Sequence, residues 1–389
     1  VMVNPLNPAA YSLTPRQGFL FDFGVEGVNF YNRQQKYADG AQTTSRTSYN
    51  TFNFHDIAFQ LPLARRLGLG FSLTPYSSVG YRVSADEQSD DVWGNIGRVQ
   101  YLYAGEGDLT EVKLGIGWEV VKRVSIGVAA QYYWGDIERT YQTVVSNNIV
   151  NGGSVNTVTG TDSYGISRIK MQLGLQADLI QSERQVLTLG ATYDMGGNLR
   201  PSVNQTVVNG DIYGTVVRGD TTRMALKLPV QLGVGLYYQN AKIAAGVDYI
   251  YQNWENNESP KSVPGAVNVA YKNTNTVKLG FEYTPNRMDI RNYLKRWSYR
   301  VGFRYGTYYQ TFEGKTLSQY AVTAGFGMPV RFLGRSSIDF GVEFGQRGND
   351  SPLRIDNRQI GLVRQRYVKF SLGLTLFGED SWFVRYKYD

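Results

Sequence analysis

Large apolar side chains alternate with small or polar ones through most of the chain. In the last clear example, which runs from Val368 to Leu376, every second residue is Val, Phe or Leu, and the residues between them are Lys, Ser, Gly and Thr. A period of two predicts a β-strand with one apolar and one polar face. Because the polar faces carry charges in nearly every segment, a barrel with its apolar face toward lipid fits the pattern better than a soluble sandwich.

About fourteen such segments follow one another along the chain. Long polar gaps, such as residues 32–47 and 146–162, alternate with short ones, such as residues 62–67 and 120–123. Long loops outside and short turns inside are typical of outer-membrane barrels. The sequence therefore predicts an all-β fold, a transmembrane antiparallel β-barrel of about 14 strands.

Three regions follow from this prediction. The barrel itself is expected to occupy residues 18–377. Residues 1–17 form a short N-terminal plug segment, and residues 378–389 form a C-terminal periplasmic tail. The outer membrane of a Gram-negative bacterium is the expected location, with outer-membrane lipid and lipopolysaccharide as surroundings.

Composition removes several other classes of protein. No apolar run approaches the roughly 18 residues of a membrane-spanning helix, which excludes a helical membrane protein. The chain has no cysteine, so disulfide frameworks and thiol chemistry are excluded. Its net charge is +7, but 40 Lys and Arg residues are interleaved with 33 Asp and Glu residues. We therefore expect no nucleic-acid partner.

The polar faces of the strands, which would line the lumen, carry charges of both signs. One interpretation is a lattice of ion pairs that braces the barrel, because unpaired charges in a confined lumen are costly. The other interpretation is that Lys278, Arg300 and Arg304, on adjacent predicted strands, present a cationic spot to an anionic head group. Many other inward positions are glycine, which leaves room for a plug or a ligand.

A few inward positions are instead large and apolar. They are Leu20 on the first strand and Phe52 and Phe54 on the second, before Ile57 and the following apolar residues take the outward face. Either a bulge near His55 changes the register, or the lumen has an apolar patch that binds a hydrophobic ligand.

The third predicted strand contains a proline. Because proline cannot donate to a ladder, a strand with Pro75 in it is bent or locally unpaired. The bend would involve Pro75, Ser77, Ser78 and Gly80. It is either a harmless kink near the rim or a lateral opening toward lipid.

Three features of the chain resemble the FadL family of long-chain fatty acid outer-membrane transporters. They are the segment Asn7-Pro8-Ala9-Ala10 before the first strand, the bent third strand, and the segment Gly105-Glu106-Gly107-Asp108-Leu109. The resemblance implies that Asn7 and Pro8 belong to an N-terminal hatch that plugs the barrel. It also implies that Pro75 to Gly80 form a kink that opens a side passage to the outer leaflet.

An enzymatic function is not expected. Barrel enzymes most often need a histidine as general base, and the chain has one, His55, which is predicted to point outward. No cluster of metal ligands is visible in the sequence, and neither a metal nor a cofactor is predicted.

Two functional hypotheses remain. The first is a FadL-like barrel that binds a hydrophobic, fatty-acid-like ligand and passes it through a lateral opening at the kinked third strand. The alternative is a non-transporting scaffold subunit of a multi-protein outer-membrane assembly or secretion machine, with outer-membrane or periplasmic protein partners. Partner docking would then use residues of a long inner turn that fall at helical spacing: Met288, Arg291, Leu294 and Lys295. A general diffusion porin is a third, weaker option.

Overall fold

A computed structural model describes most of the chain. The described residues are 3–14, 18–38, 41–87, 90–146, 155–209, 216–218, 222–223, 227–255, 269–330, 336–355 and 358–379. The predicted tail from residue 380 onward and residues 1–2 and 15–17 of the predicted plug lie outside this part of the chain. Among the described residues, no helix is both long enough and apolar enough to cross a membrane.

The helices are short. They are the 3₁₀ segments Pro8–Leu13 and Tyr293–Arg296 and the α-helix α1 at Asp90–Asn95. The strands of the first half are β1 (Gly18–Ala38), β2 (Ala41–Ala64), β3 (Leu67–Asp86), β4 (Arg98–Val121), β5 (Val124–Ser146), β6 (Val155–Gln181), β7 (Gln185–Asp194), β8 (Gly197–Asn198), β9 (Ser202–Asn209), β10 (Val216–Arg218), β11 (Thr222–Arg223) and β12 (Lys227–Leu228).

The strands of the second half are β13 (Val230–Asn240), β14 (Ile243–Asn253), β15 (Val269–Tyr271), β16 (Thr274–Tyr283), β17 (Ser298–Phe312), β18 (Lys315–Val330), β19 (Ser336–Arg347), β20 (Pro352–Ile355), β21 (Arg358–Gly361) and β22 (Val363–Glu379).

Fourteen of these strands form a closed antiparallel barrel. The wall runs in chain order through β1 to β7, β13, β14, β16 to β19 and β22, and β22 pairs with β1 to close it. The apolar face of each strand is turned outward, as Phe370 and Leu372 of β22 illustrate, both of them exposed. The predicted all-β barrel of 14 strands is thereby confirmed. Closure gives each wall strand a neighbour on both sides, so that the sheet has no free edge in lipid.

The outer parts of several strands are longer than the sequence predicted. The gap at residues 32–47, expected to be a loop, is mostly strand, because β1 extends to Ala38 and pairs with β2 from Ala41 onward. The hydrophobic alternation stops there because these residues have left the apolar band, whereas the ladder continues with polar residues that favour strands, such as Thr and Tyr. Apolar alternation marks the membrane-spanning part of a strand and misses its extension.

One predicted strand ends early. The segment expected to run from Val186 to Val203 leaves the wall after Asp194, the end of β7. The chain then turns toward the inner face, where β8 pairs with β12 in a small separate sheet. Leu199 and Pro201 in this turn are almost fully buried. Leu199 therefore packs inside the barrel, beside Leu109 and Tyr133, and does not face lipid.

Candidate functional site

The described N-terminal residues, Val3 to Thr14, pack against the inner face of the wall. The Asn7 side chain caps the 3₁₀ segment by accepting from the Ala9 amide at 3.0 Å, and it donates to the Leu175 carbonyl of β6 at 3.0 Å. The Gln60 side chain donates to the Ala10 carbonyl and to Thr14 Oγ1.

Further bonds join this N-terminal segment to the wall at both of its ends. The Val3 amide donates to Asp22 Oδ2 of β1 at 2.7 Å, and Lys113 Nζ of β4 donates to the Pro5 carbonyl at 3.0 Å. Because these bonds go to β1, β2, β4 and β6, the segment spans a broad part of the inner face.

Four inward glycines leave room for this segment: Gly70, Gly115, Gly117 and Gly127. We call them the glycine floor. The Tyr11 ring is fully buried against Gly70 and Gly115, and a Cβ at either glycine would overlap the ring. The Pro8–Ala9 backbone lies in the same way against Gly117 and Gly127. The sequence predicted that inward glycines leave room for a plug, and these four positions receive one side chain and a length of backbone.

The ladder between β2 and β3 is interrupted. The two strands pair only over residues 57–64 and 67–73. Farther out, β2 continues against β1 to Ala41, and β3 continues against β4 to Asp86. Among the described residues, 41–56 of β2 and 74–86 of β3 therefore have no ladder between them. We call this interval the β2–β3 seam.

The predicted bend lies along one edge of the seam. The register of β3 against β4 shifts between Pro75 and Ser77, so that Tyr76 bulges from the ladder. Ser78 pairs with Asp108 of β4, and a Cβ at Gly80 would meet no atom within 4 Å. The proline has no N–H to offer a neighbouring strand, which accounts for the break beginning here.

An apolar cluster stands behind the seam. The Tyr76 ring packs edge-on against Tyr133 of β5, with ring centroids 4.8 Å apart. Tyr133 in turn packs with Leu109, Ile166 and Leu199, all nearly fully buried. The sequence analysis did not find this cluster, because Leu199 reaches it only through the inward turn after β7.

A band of polar side chains crosses the inner face below this cluster, and the sequence analysis missed it too. Gln131 Nε2 of β5 donates to Glu111 Oε1 at 3.4 Å and to Asp194 Oδ1 at 3.1 Å, and Gln231 of β13 donates to the other oxygen of Asp194. Glu111 also lies 3.3 Å from Lys113 Nζ. The alternation places these residues inward one strand at a time, but their contacts depend on the register between strands.

The opposite wall is braced by ion pairs. Arg300 Nε of β17 lies 2.7 Å from Glu282 Oε2 of β16, and its Nη1 donates to Asp339 of β19. Arg304 pairs with Glu343 at 2.6 Å. The two arginines lie across β18, whose facing residues are small, Ala321 opposite Arg304 and Gly325 opposite Arg300. The interpretation as an ion-pair lattice is therefore the correct one for these two arginines.

Lys278 differs from its two neighbours. It lies beside Arg304 in the register of β16 and β17 and opposite Asp248 of β14. Within the described part of the chain it forms no ion pair of 4.0 Å or less. Of the three predicted cationic residues, Arg300 and Arg304 form ion pairs and Lys278 forms none within the described residues.

The apolar residues predicted for the lumen are placed elsewhere. The register of β1 against β2 shifts so that Gly24 pairs with Asp56 and Val25 with Phe54. His55 is the extra residue, and beyond it Phe54 and Phe52 turn to the outward face, where Phe52 is 78% exposed. The bulge is thus the correct alternative, and the lumen patch of Phe52 and Phe54 was wrong. Leu20 does point inward, but it is buried in a cluster with Val3.

Two further candidates are His55 and a possible metal site. His55 Nδ1 lies 2.6 Å from Asp56 Oδ1 in the bulge. No group of three or more His, Asp or Glu side chains that could hold a metal ion occurs among the described residues.

The predicted docking residues lie on the turn between β16 and β17. Met288 is 83% exposed there, and Ile290, which the prediction omitted, is 95% exposed. The Arg291 backbone amide donates to Asp289 Oδ1 at 2.9 Å, and Lys295 Nζ lies 3.8 Å from Asp289 Oδ2. The fourth predicted residue, Leu294, is also exposed.

The closed wall, the inner N-terminal segment and the kinked β3 define an outer-membrane β-barrel of the FadL type. A model of the BamG family matches residues 1–389, the whole chain. The chain belongs to the BamG family. No curated protein matches it in sequence.

Solved structures support the same fold. A Pseudomonas aeruginosa FadL homologue is 14% identical, with a TM-score of 0.63, and the match covers 95% of this chain and 92% of that one. The Pseudomonas putida toluene transporter TodX is 16% identical, with a TM-score of 0.59 and coverage of 96% and 92%. The monoaromatic hydrocarbon channel CymD is 12% identical, with a TM-score of 0.58 and coverage of 95% and 91%. The resemblance to FadL-like barrels is confirmed at the level of fold.

Proposed function

We propose that the barrel binds a hydrophobic, fatty-acid-like ligand on its inner face and passes it sideways into the outer membrane through the β2–β3 seam. The observation that carries this proposal is the interrupted ladder, which begins after Leu73 of β3 while both strands continue outward. Because no ladder joins the two strands there, the wall can part at the seam without breaking backbone hydrogen bonds between them.

The residues on the two sides of the seam suit an apolar ligand. On the inner side, Tyr76 is 41% exposed and packs on the buried cluster of Leu109, Tyr133 and Ile166. Phe52 and Phe54 lie outside on the neighbouring strand, on the face turned to lipid. A hydrophobic molecule would therefore meet apolar side chains before and after it crosses the wall, and desolvation would favour each step.

Tyr76 is the residue that we expect to control passage. It bulges from β3 at the inner end of the seam and rests on Tyr133. A ligand on the inner face would have to displace its ring to leave sideways. Lys278, whose charge no described residue pairs within 4.0 Å, is the cation that we propose for an anionic head group.

The related structures agree with this class of ligand. TodX is named a toluene transporter and CymD a monoaromatic hydrocarbon channel. Small aromatic compounds lack the anionic head group of a fatty acid. Comparing a fatty acid with toluene in one uptake assay therefore separates the two kinds of hydrophobic ligand.

The test is a reversible closure of the seam. Because the chain has no cysteine, the double variant Asn53→Cys/Ser78→Cys carries only the two introduced thiols, one on each edge. We expect a reducible bis-thiosulfonate crosslinker to lower uptake of a labelled fatty acid by about tenfold, a barrier of about 1.4 kcal/mol. Reduction of the crosslink should restore uptake.

The matched control joins two strands where the wall is continuous. Ile116→Cys/Val128→Cys places thiols on direct ladder partners of β4 and β5, and its crosslink should leave uptake unchanged. If closing the seam has no more effect than closing this control pair, the lateral route is wrong.

A second function, the non-transporting scaffold, is favoured by one observation. Met288 and Ile290 on the β16–β17 turn are the most exposed large apolar side chains of the described residues. A partner protein would bury them. Native mass spectrometry of the protein extracted from its own membrane in mild detergent distinguishes the two functions. A lone barrel with a fatty-acid-sized mass supports transport. A stable protein complex that Met288→Ser/Ile290→Ser dissociates supports the scaffold.

A further inference from the structure

Four arginines gather on the outward face of the wall near its extracellular end. Arg33 of β1 lies directly opposite Arg46 of β2 on one side and Arg364 of β22 on the other. Arg366 is the next residue of β22 on the same face. Together with Ser48 they line a cleft of about 410 Å³. We call these four residues the arginine cluster.

The four arginines of the cluster have one carboxylate, that of Asp350, within ion-pair distance among the described residues. Asp350 Oδ2 lies 3.4 Å from Arg33 Nε and 3.7 Å from Arg364 Nη2. Arg366 donates to the neutral Gln346 side chain, and neither it nor Arg46 has an ion pair within the described part of the chain. Neighbouring strands are about 4.8 Å apart, and like charges directly opposite each other destabilise a sheet. A bound anion would remove this cost.

The outward residues below the arginine cluster indicate the depth at which the cluster lies in the membrane. Val368, Phe370, Leu372, Leu374 and Leu376 form an apolar stripe on β22, and Arg366 follows on the same face. From Val368 to Leu376 the strand rises about 27 Å, which at the usual tilt of about 40° corresponds to about 20 Å of membrane thickness. This is close to the apolar band of an outer-membrane barrel, about 25 Å tall.

The same change from apolar to cationic residues occurs on the adjacent strands. On β1 the outward residues pass from Phe21 and Phe23 to Tyr31 and Arg33, and on β2 they pass from Phe54 and Phe52 to Ser48 and Arg46. Because the stripe fills the hydrocarbon core, the arginine cluster lies at the head-group level of the outer leaflet. An anion bound there is most simply part of a lipid.

We propose that the arginine cluster binds the phosphate groups of lipid A, the phosphorylated glycolipid anchor of lipopolysaccharide. A guanidinium group binds phosphate through two parallel hydrogen bonds, and Arg46 and Arg366 keep these donors free of carboxylates. The Ser48 hydroxyl adds a donor at the edge of the cleft. The acyl chains of the same molecule would lie along the apolar stripe of β22.

The test measures lipid binding by the complete barrel in detergent. Diphosphorylated lipid A is titrated and the bound fraction is read by native mass spectrometry, with lipid A from which both phosphates have been removed as the comparison. We expect dephosphorylation to weaken binding by about tenfold. Equal binding of the two lipids would overturn the proposal.

The variant Arg46→Gln/Arg366→Gln removes the two unpaired cations and leaves the contacts of Asp350 in place. It should lose about tenfold in affinity for the diphosphorylated lipid and none for the dephosphorylated one. The control Arg65→Gln/Arg184→Gln removes two exposed charges from short turns at the other end of the barrel and should bind normally. Equal losses in both variants would mean a general charge effect and would overturn the site.

Competition with inorganic phosphate distinguishes a site for free phosphate from a site for the phosphate groups of a lipid. If phosphate at the concentration of the lipid displaces it, the cluster is a site for free phosphate and the lipid assignment is wrong. If the lipid stays bound, the acyl chains and the phosphates act together, as the position of the cluster above the stripe requires. The electrophoretic shift of the folded, unheated barrel verifies that each variant is folded.

Discussion

The inner face of the barrel is filled in different ways on two parts of its wall. On β3 to β5, which we call the glycine wall, several inward positions are glycine, and the N-terminal segment packs onto them with the Tyr11 ring against Gly70 and Gly115. On β16 to β19 and β22, which we call the charged wall, several inward positions carry charges, and side chains such as Arg300 and Glu282 pair with one another. The N-terminal segment covers the glycine wall, whereas the inward charged side chains of the charged wall pair with one another.

The difference shows what an inward position does in a barrel. A glycine has no side chain, so the backbone of another segment can pack directly against the wall at that position. The packing of that part of the wall then depends on the segment that covers it. An arginine that lies across a neighbouring strand and reaches a carboxylate ties three strands together without any cover. The seam begins on the glycine wall, at β3, whereas the strands of the charged wall pair with their neighbours over most of their length. We therefore expect the glycine wall to be the part that changes during function.

The strongest test of this contrast is to fill the glycine floor. A Cβ at Gly127 would overlap the backbone of Pro8 and Ala9, so Gly127→Leu should destabilise docking of the N-terminal segment by about 3 kcal/mol. Hydrogen exchange of the Ala9–Leu13 amides should accelerate accordingly. The matched control is Gly280→Leu on the other wall, where a Cβ at this residue meets no atom within 4 Å. Unchanged exchange in Gly127→Leu would show that the segment is not held by this floor.

The second test removes a brace from the charged wall. Arg300→Met leaves Glu282 and Asp339 without their shared cation, and because the arginine is 33% exposed, we expect a loss of about 2 kcal/mol of unfolding free energy. Urea unfolding in detergent measures it. Lys278→Met is the comparison and should cost at most about 0.5 kcal/mol. Equal losses would mean that the ion pairs add nothing to the wall.

The third test weakens one anchor of the N-terminal segment without adding bulk. Asn7→Ala removes the cap to the Ala9 amide and the bond to the Leu175 carbonyl, which should destabilise docking by about 1 kcal/mol. Hydrogen exchange of the same amides is the measurement. Asn4→Ala removes an exposed side chain that accepts only from the Leu6 amide and should have a smaller effect. The reverse order would contradict the assignment of Asn7 as the anchor.

The smallest effect concerns the turn that joins β16 to β17 at one edge of the charged wall. Backbone amides of Asn292 and Arg291 donate to the Asp289 carboxylate and lower its pKa, and Lys295 acts in the same direction. A lowered pKa means that the carboxylate stabilises the turn above its ordinary pKa, about 3.9, and that this contribution is lost as the pH falls through the lower folded value. An NMR titration of Asp289 should therefore show an inflection below its ordinary pKa. An inflection at or above that value would show that the turn is open in solution.

Much of the fold could be predicted from the sequence. The alternation over β22 gave its outward stripe correctly, and the same pattern gave fourteen wall strands. Pro75 marked the bend in β3 because proline has no N–H to donate, whatever its neighbours are. Loop lengths were less predictable, since polar residues such as those at 32–38 continue a ladder outside the membrane without an apolar signal.

The candidate site was predictable only in part. Arg300 and Arg304 were found as inward cations, but the sequence left open whether carboxylates would neutralise them. Phe52 and Phe54 were equally ambiguous, because a one-residue bulge at His55 moves both to the other face. The cluster of Tyr76 with Tyr133 gave no signal along the chain, because its members come from different strands.

The sequence alone determined that this chain forms a membrane barrel, because a period of two with one apolar face fixes which side of every strand meets lipid. It also determined where one strand must bend. The tertiary structure decided which inward residues meet: that Asp339 reaches Arg300 across β18, that Tyr11 covers Gly70, and that Arg46 and Arg364 flank Arg33. Register between strands sets these pairs, and register depends on bulges and on closure of the whole barrel, which no single segment encodes.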